Sequence, residues 1–298
     1  MKKNIVLLCI IAILALAGCA KQESGEQKPA ESLTYTNLSD KASQEEVRKA
    51  LVNAEISESA IEEFFSHVNE FNEMIENTTL TKEGFETVDT LTPEYDIITM
   101  QELLDKKSPE FIGYNCRITS LGLMKGLIEI SDPVEIEQNS NLFMDRDSIE
   151  KKQLFTDQEK QLFDNLFTEI PTEKTNELDT HLAKFQESWK AKGIKFKESS
   201  KIRMISVVFN FDDGNEQPTL FIGHVGILLP LEDGKLLFLE KLTFQEPYQA
   251  IKFDDRVQLS DYLMNRYDVA WGQPTARPFI LENDQLMEGY RPNPKNQG

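Results

Sequence analysis

Cys116, in the run Gly113-Tyr114-Asn115-Cys116-Arg117, and His224, in Phe221-Ile222-Gly223-His224-Val225-Gly226, are the residues whose types and order suit nucleophilic chemistry. A free cysteine has a pKa of about 8.5 and is mostly protonated at neutral pH, but an adjacent imidazole can hold it as thiolate. A carboxylate behind the imidazole fixes its tautomer and supports the imidazolium. Strand register supplies that carboxylate. If Pro230 to Gly234 form a hairpin loop, Leu229 pairs with Lys235 and His224 pairs with Glu240. Opposed residues put their β-carbons about 4.5–5.5 Å apart on one face. That face then carries Ile222, His224, Gly226 and Leu228 from one strand, and Leu236, Phe238, Glu240 and Leu242 from the other. A carboxylate in such an apolar row is costly unless paired, and His224 is the partner at hand. Gly223 and Gly226 flank the histidine without side chains.

Asn115 is a good helix N-cap, which places Cys116 in the first turn of a helix reaching to about Ile128. There the helix dipole lowers a thiol pKa, and unsatisfied backbone N–H groups can hold an oxyanion. Tyr114 is the candidate side-chain donor to that oxyanion. Ile118, Leu121, Leu123, Met124, Leu127 and Ile128 make the segment apolar nearly all round, so it belongs in the middle of a domain. A buried strand is the alternative, because Ile118 and Thr119 are β-branched. The bland alternative for the whole set also stands: free cysteines often pack as small hydrophobes, and a strand histidine with a glutamate can be a satisfied core pair.

The other titratable groups say less. His67 and His181 lie at the edges of apolar helix faces. No Cys/His ligand spacing is present, Asp212-Asp213-Gly214-Asn215 lacks the spacing of a calcium loop, and no phosphate loop or dinucleotide fingerprint occurs. Neither a metal nor a cofactor is therefore expected.

The elements that must position these residues begin after a targeting segment. Lys2 and Lys3 precede an apolar run from Ile5 to Leu16, shorter than the roughly 20 residues that span a bilayer. Leu16-Ala17-Gly18-Cys19 matches a bacterial lipobox, which predicts a signal peptide over 1–18 and acylation of Cys19. Acyl chains hold a protein to a membrane face without spanning it. The expected location is the extracytoplasmic face of a cell membrane. Of the three cysteines, Cys9 lies in the signal, so Cys116 has no structural disulfide partner. Removing Lys2 and Lys3 leaves 30 basic residues against 51 acidic ones, a net charge of −21. Such a surface repels phosphate backbones, which argues against nucleic-acid binding.

Residues 19–41 read as acylated cysteine and flexible tether, and 42–298 as one α+β domain with helices mostly first. Within it, 42–110 is a helical part and 111–298 carries the cysteine and the sheet. Ser43 with Glu46 makes a capping box ahead of Val47, Ala50 and Leu51. Ser57 to Asn77 shows helical spacing through Ile61, Phe64, Phe65, Val68, Phe71 and Ile75, and a short helix is expected from about Thr99 to Lys106. Residues 131–155 are polar and irregular. Thr156 with Glu159 is a second capping box, and the helix marked by Leu178, Leu182, Phe185 and Trp189 should stop at Gly193. From Ile202 the pattern changes to strands, 202–211, 219–229 and 235–244, an antiparallel meander punctuated by Asp-Gly turns, with 250–253 as a candidate fourth strand. Ser260 is expected to cap a short helix through Tyr267, ahead of a loop-rich tail with Trp271 and Gly272.

A helix opening with cysteine, then a sheet bearing histidine, then a polar residue on the neighbouring strand, resembles the papain-like superfamily, in particular the NlpC-type cell-wall peptidases and amidases. The lipobox, Tyr114-Asn115-Cys116-Arg117 and Gly223-His224-Val225-Gly226-Ile227 followed by Phe238-Leu239-Glu240-Lys241 also resemble an uncharacterised family of bacterial lipoproteins, domain of unknown function 4300. The first resemblance implies Cys116 as nucleophile, His224 as base and Glu240 as orienting acid, acting on peptidoglycan or other envelope peptides. NlpC-type enzymes usually show Asp-Cys-Ser-Gly where this chain has Asn115-Cys116-Arg117-Ile118. The rival expectation is a non-catalytic envelope lipoprotein that binds a ligand or protein partner on the same fold.

Overall fold

A computed structural model describes residues 28–136, 141–214, 217–270 and 275–296. The expected export signal, Cys19 and the first part of the tether lie outside the described residues, as do Asn215, Trp271 and Gly272. Eight α-helices occur among the described residues: α1 (Lys41–Asn53), α2 (Glu58–Met74), α3 (Ile97–Lys107), α4 (Cys116–Met124), α5 (Phe143–Lys152), α6 (Asp157–Phe167), α7 (Leu178–Ala191) and α8 (Arg256–Tyr267). The strands are β1 (Leu33–Thr36), β2 (Glu86–Val88), β3 (Ile128–Glu129), β4 (Ile170–Pro171), β5 (Lys195–Phe196), β6 (Arg203–Phe211), β7 (Thr219–Pro230), β8 (Leu236–Lys241), β9 (Tyr248–Phe253), β10 (Phe279–Glu282) and β11 (Gln285–Leu286). The α+β class, helices largely ahead of the sheet, is the one the sequence predicts.

Local capping chemistry sets most helix starts. Thr156 and Glu159 form the reciprocal box at the head of α6, and Ser57 caps α2. Two caps fall earlier than the sequence pattern predicts. Asp40 caps α1, its carboxylate accepting from the Ala42 and Ser43 backbone, and the Ser43 hydroxyl donates to it rather than forming a box with Glu46. Asp255 caps α8, while Ser260 sits inside that helix and donates to the Arg291 carbonyl. In both cases a charged acceptor stands just upstream, and it makes the stronger bond to orphan N–H groups. α5 forms within the polar stretch that shows no period. α4 ends at Met124, and a short 3-10 turn and β3 replace the expected continuation to Ile128.

The main sheet runs β11-β10-β6-β7-β8-β9-β1-β2, with β4 added on β7, and its pairs are antiparallel. Its centre is the predicted meander. The sequence reading places Leu33 to Thr36 in the tether, yet they form β1 between β9 and β2, with Tyr35 opposite Ile251. The fold therefore begins before residue 42. Hydrophobic Leu33 and Tyr35 pack beneath α8, which is the reason this stretch orders. One sheet face is covered by the helical layer, where Val47, Phe65, Phe71, Leu121, Phe163 and Trp189 meet Val225, Ile227, Leu237 and Leu239. The other face is covered by α8, whose Leu259, Tyr262 and Leu263 meet Ile205, Val207, Leu228 and Phe238.

Register at the second hairpin differs from the expectation by two. Pro230 pairs with Leu236 and Gly226 with Glu240, the turn closing through Leu231 N–H to the Lys235 carbonyl at 2.8 Å. An even shift preserves parity, so Glu240 stays on the histidine's side of the sheet, now diagonal to His224 rather than opposite it. A bulge changes the other part of the expectation. Val207 faces His224 and Val208 faces Ile222, leaving Gly223 as the extra residue. Ile222 thereby turns to the helical layer while Leu228 packs beneath α8, so the two do not share a face.

Gly226 is held at the end of this ladder by a close approach. A β-carbon there would lie 2.4 Å from the Phe238 ring and 2.7 Å from the Leu239 carbonyl oxygen. Gly226→Ala is expected to destabilise the fold by about 1–3 kcal/mol through overpacking. Thermal unfolding reads this cost; an unchanged melting temperature would show that the strands part freely here.

Candidate active site

Asn115 folds as the predicted cap. Its Oδ1 accepts the Ile118 N–H at 3.0 Å, so Cys116 is the first residue of α4. The amides of a first helical turn have no acceptor within their own helix. Gly113, at φ 104°, delivers the chain to this cap by a turn that favours glycine, and a β-carbon there would stand 3.2 Å from the Phe244 carbonyl oxygen. That carbonyl belongs to the turn after β8. Buried Lys241 holds the turn, donating to Thr243 O at 2.7 Å, to Phe244 O at 3.3 Å and to Glu246 O.

Cys116, His224 and Glu240 come together. The Cys116 thiol is close enough to His224 to couple with it electrostatically, and His224 Nε2 lies 2.5 Å from Glu240 Oε2. The thiol arrives from the helical layer on one face of the sheet. On the other face, the Tyr267 ring stacks on the imidazole with centroids 4.9 Å apart, and the Tyr262 hydroxyl donates to Glu240 Oε1. His224 can serve both sides because it stands two residues past the last β7–β8 pair, Gly226 with Glu240. His224 and Glu240 are each 1% exposed and Cys116 is 6% exposed, so the imidazole and carboxylate are desolvated and the thiol is the member nearest solvent.

Burial by itself pushes a thiol up. Here the hydrogen bond to His224, the charge on that ring and the nearby Arg117 guanidinium outweigh burial and the opposing Asp145, and hold Cys116 below its usual value. Burial would likewise lower His224, but its hydrogen bonds to Cys116 and Glu240, and their charges, raise it to about 9. Both shifts favour the same species, a thiolate facing an imidazolium.

Arg117, directly after the cysteine, has a structural task. Its Nε and Nη2 donate to the Ile222 carbonyl at 3.3 and 3.1 Å, beside the Gly223 bulge, while Nη1 pairs with Asp145 at 3.1 Å. Asp145 also accepts from Asn115 Nδ2 at 2.7 Å. One guanidinium thus ties the cysteine helix to the histidine strand. Sequence reasoning passed over this clamp because Asp145 lies in the stretch without period; a charged residue directly after the cysteine was the available signal.

Tyr114 goes elsewhere. Its hydroxyl donates to Glu70 Oε2 at 2.7 Å and its ring stacks on His67 at 3.9 Å, so the proton expected for an oxyanion is used on α2. The first-turn amides of α4 ahead of Ile118 are the donors that remain for that role. Burial lowers His67 to about 4 against the pull of Glu70, which keeps it a neutral stacking partner. His181 is buried between the Thr172 hydroxyl and the Thr175 carbonyl, each at 2.8 Å. Among the described residues, no group of three or more His, Cys, Asp or Glu could hold a metal ion.

The model of a family described as Domain of unknown function (DUF4300) matches residues 34–287, the span holding all three site residues. The chain belongs to the DUF4300 family. Among curated proteins and solved structures, none matches it. The matched span starts at β1 rather than at residue 42 and closes at β11, so membership covers the whole sheet.

Proposed function

We propose that this DUF4300 chain is a thiol hydrolase of amide or peptide bonds in the cell envelope, held to the extracytoplasmic face of a membrane by acylation at Cys19. One observation carries the reading: Cys116, at the head of α4, is electrostatically coupled to His224, whose Nε2 is held by Glu240. The Cys116 thiolate would attack the carbonyl carbon, and the oxygen that gains charge would take the amides at the head of α4 that Asn115 does not already cap. The His224 imidazolium would then give its proton to the leaving amine. In the second half, neutral His224 takes a proton from water, which cleaves the thioester and regenerates the thiol. The order cysteine helix, histidine strand, acidic neighbour favours papain-like kinship, with peptidoglycan peptides as the substrate class of the NlpC-type members. No step needs a metal or cofactor. Among the described residues no helix is long and apolar enough to cross a membrane.

Burial favours a second reading, a non-catalytic lipoprotein that binds a ligand or partner on the same fold, because 6% exposure leaves little room at the thiol. Alkylation of Cys116 against pH separates the two, in a soluble form lacking residues 1–19. The hydrolase reading predicts fast reaction persisting well below the ordinary thiol range of about 8.5. The profile should change again near pH 9, where the His224 imidazolium loses its proton. Slow reaction until the protein unfolds would sink the hydrolase.

A further inference from the structure

We infer that Tyr262 and Gln249 are positioning residues of this site: a chain of hydrogen-bond donors from Asn37 through Tyr95, Gln249 and Tyr262 ends on Glu240 and sets that carboxylate against His224. The inference rests on the thiol-hydrolase reading and concerns what stands behind the triad.

The argument is a proton count. The Tyr262 hydroxyl lies against Glu240 Oε1 and also 3.0 Å from Gln249 Oε1. A phenol has one proton, and an ionised carboxylate only accepts, so Glu240 takes it. The Tyr262 oxygen then needs a donor on its other side. As placed, the Gln249 amide points its Nε2 at the Tyr95 hydroxyl and its oxygen at Tyr262; it supplies the missing donor when turned with the NH2 toward Tyr262 and the oxygen toward Tyr95. The two ends of an amide exchange places by a half-turn, and the network decides between them. In that orientation the Tyr95 hydroxyl donates to Gln249. Tyr95 in turn receives from Asn37 Nδ2 at 2.9 Å and has Tyr35 as a further partner. Asn37 is anchored at both ends, donating to the Tyr248 carbonyl at 2.8 Å and accepting from Thr81 N–H at 3.1 Å. Each oxygen along the chain then has a donor, and the protons all point toward Glu240. Asn37, Gln249, Tyr262 and Glu240 are buried, where a wrongly directed pair has no water to rescue it.

The titratable groups around the carboxylate are His224 from β7, Tyr262 and Tyr267 from α8, and Tyr95 from the loop before α3. Arg266 also acts on Tyr262 and Tyr267, while its guanidinium pairs with Glu246 at 2.8 Å. Burial, followed by the charge of Glu240, holds the Tyr262 phenol well above its ordinary value, so it stays a donor across the working pH range.

The test is the pH profile of Cys116 alkylation in the mature protein, for wild type, Tyr262→Phe and Gln249→Leu. Without the Tyr262 proton, Glu240 Oε1 loses its buried donor and supports the imidazolium less well. The acid limb is then expected to move up by about one pH unit, roughly tenfold slower alkylation on that limb. A purely structural role would lower the melting temperature and leave the midpoint in place. A folded Tyr262→Phe protein with the wild-type midpoint overturns the chain and leaves the activated thiolate standing. A wild-type profile that is already that of an ordinary thiol overturns both. Should Tyr262→Phe fail to fold, NMR on the wild type decides. Contacts from the Gln249 amide protons to the Tyr262 ring support the chain, and contacts to the Tyr95 ring overturn it.

Discussion

Cys116→Ala is expected to abolish hydrolysis of a muropeptide substrate, by about 10⁴-fold or more, while the protein remains folded. The reasoning separates two jobs of one side chain. As packing, a thiol at the head of α4 contributes little, and its loss should cost about 1 kcal/mol of stability. As the proposed nucleophile it would be irreplaceable, because alanine leaves His224 and Glu240 with nothing to activate. Their mutual pairing at 2.5 Å survives the change, so no buried charge is left alone. Product release measured on purified muropeptides, beside a thermal melt, reads both quantities. Cleavage that persists in the alanine variant would assign the reaction to another residue.

His224→Ala is expected to be far more costly to the fold, by about 3–5 kcal/mol, because it strands Glu240 as a buried carboxylate without its cation. The sign with pH follows from the imidazole. Its folded pKa, raised to about 9, lies above the ordinary value of 6.5. The charge therefore contributes fully below that ordinary value, and the contribution is lost as pH rises through about 9. The gap between wild type and variant should accordingly narrow on the alkaline side. Denaturant unfolding at several pH values measures it, and a gap that widens above pH 9 would contradict the assigned ion pair. The same variant should return Cys116 to the alkylation profile of an ordinary thiol.

Much of this site was legible in residues close together in the chain. Asn115 ahead of Cys116 specifies a helix start, since a cap needs a short polar side chain and the N–H groups three residues on. The alternation along β7 and β8 put His224 and Glu240 on one side, and that survived the register shift because strand faces repeat every two residues. The α+β order followed from the change of hydrophobic period near Ile202.

Other features depended on groups brought together from distant parts of the chain. The Gly223 bulge is legible only when β6 lies alongside, since a bulge is a mismatch between two strands. Arg117 finds Asp145 in a segment without period, and Tyr262 reaches Glu240 from a helix on the far side of the sheet. Leu33 to Thr36 look like tether until β9 offers a ladder and α8 a cover. By itself, then, the sequence determined which residue types stand at the helix start and on each strand face, because those are set by neighbours within a few positions. Only the tertiary structure decided the partners, register and donors that turn a cysteine and a histidine into one coupled site, because those energies belong to contacts across the fold.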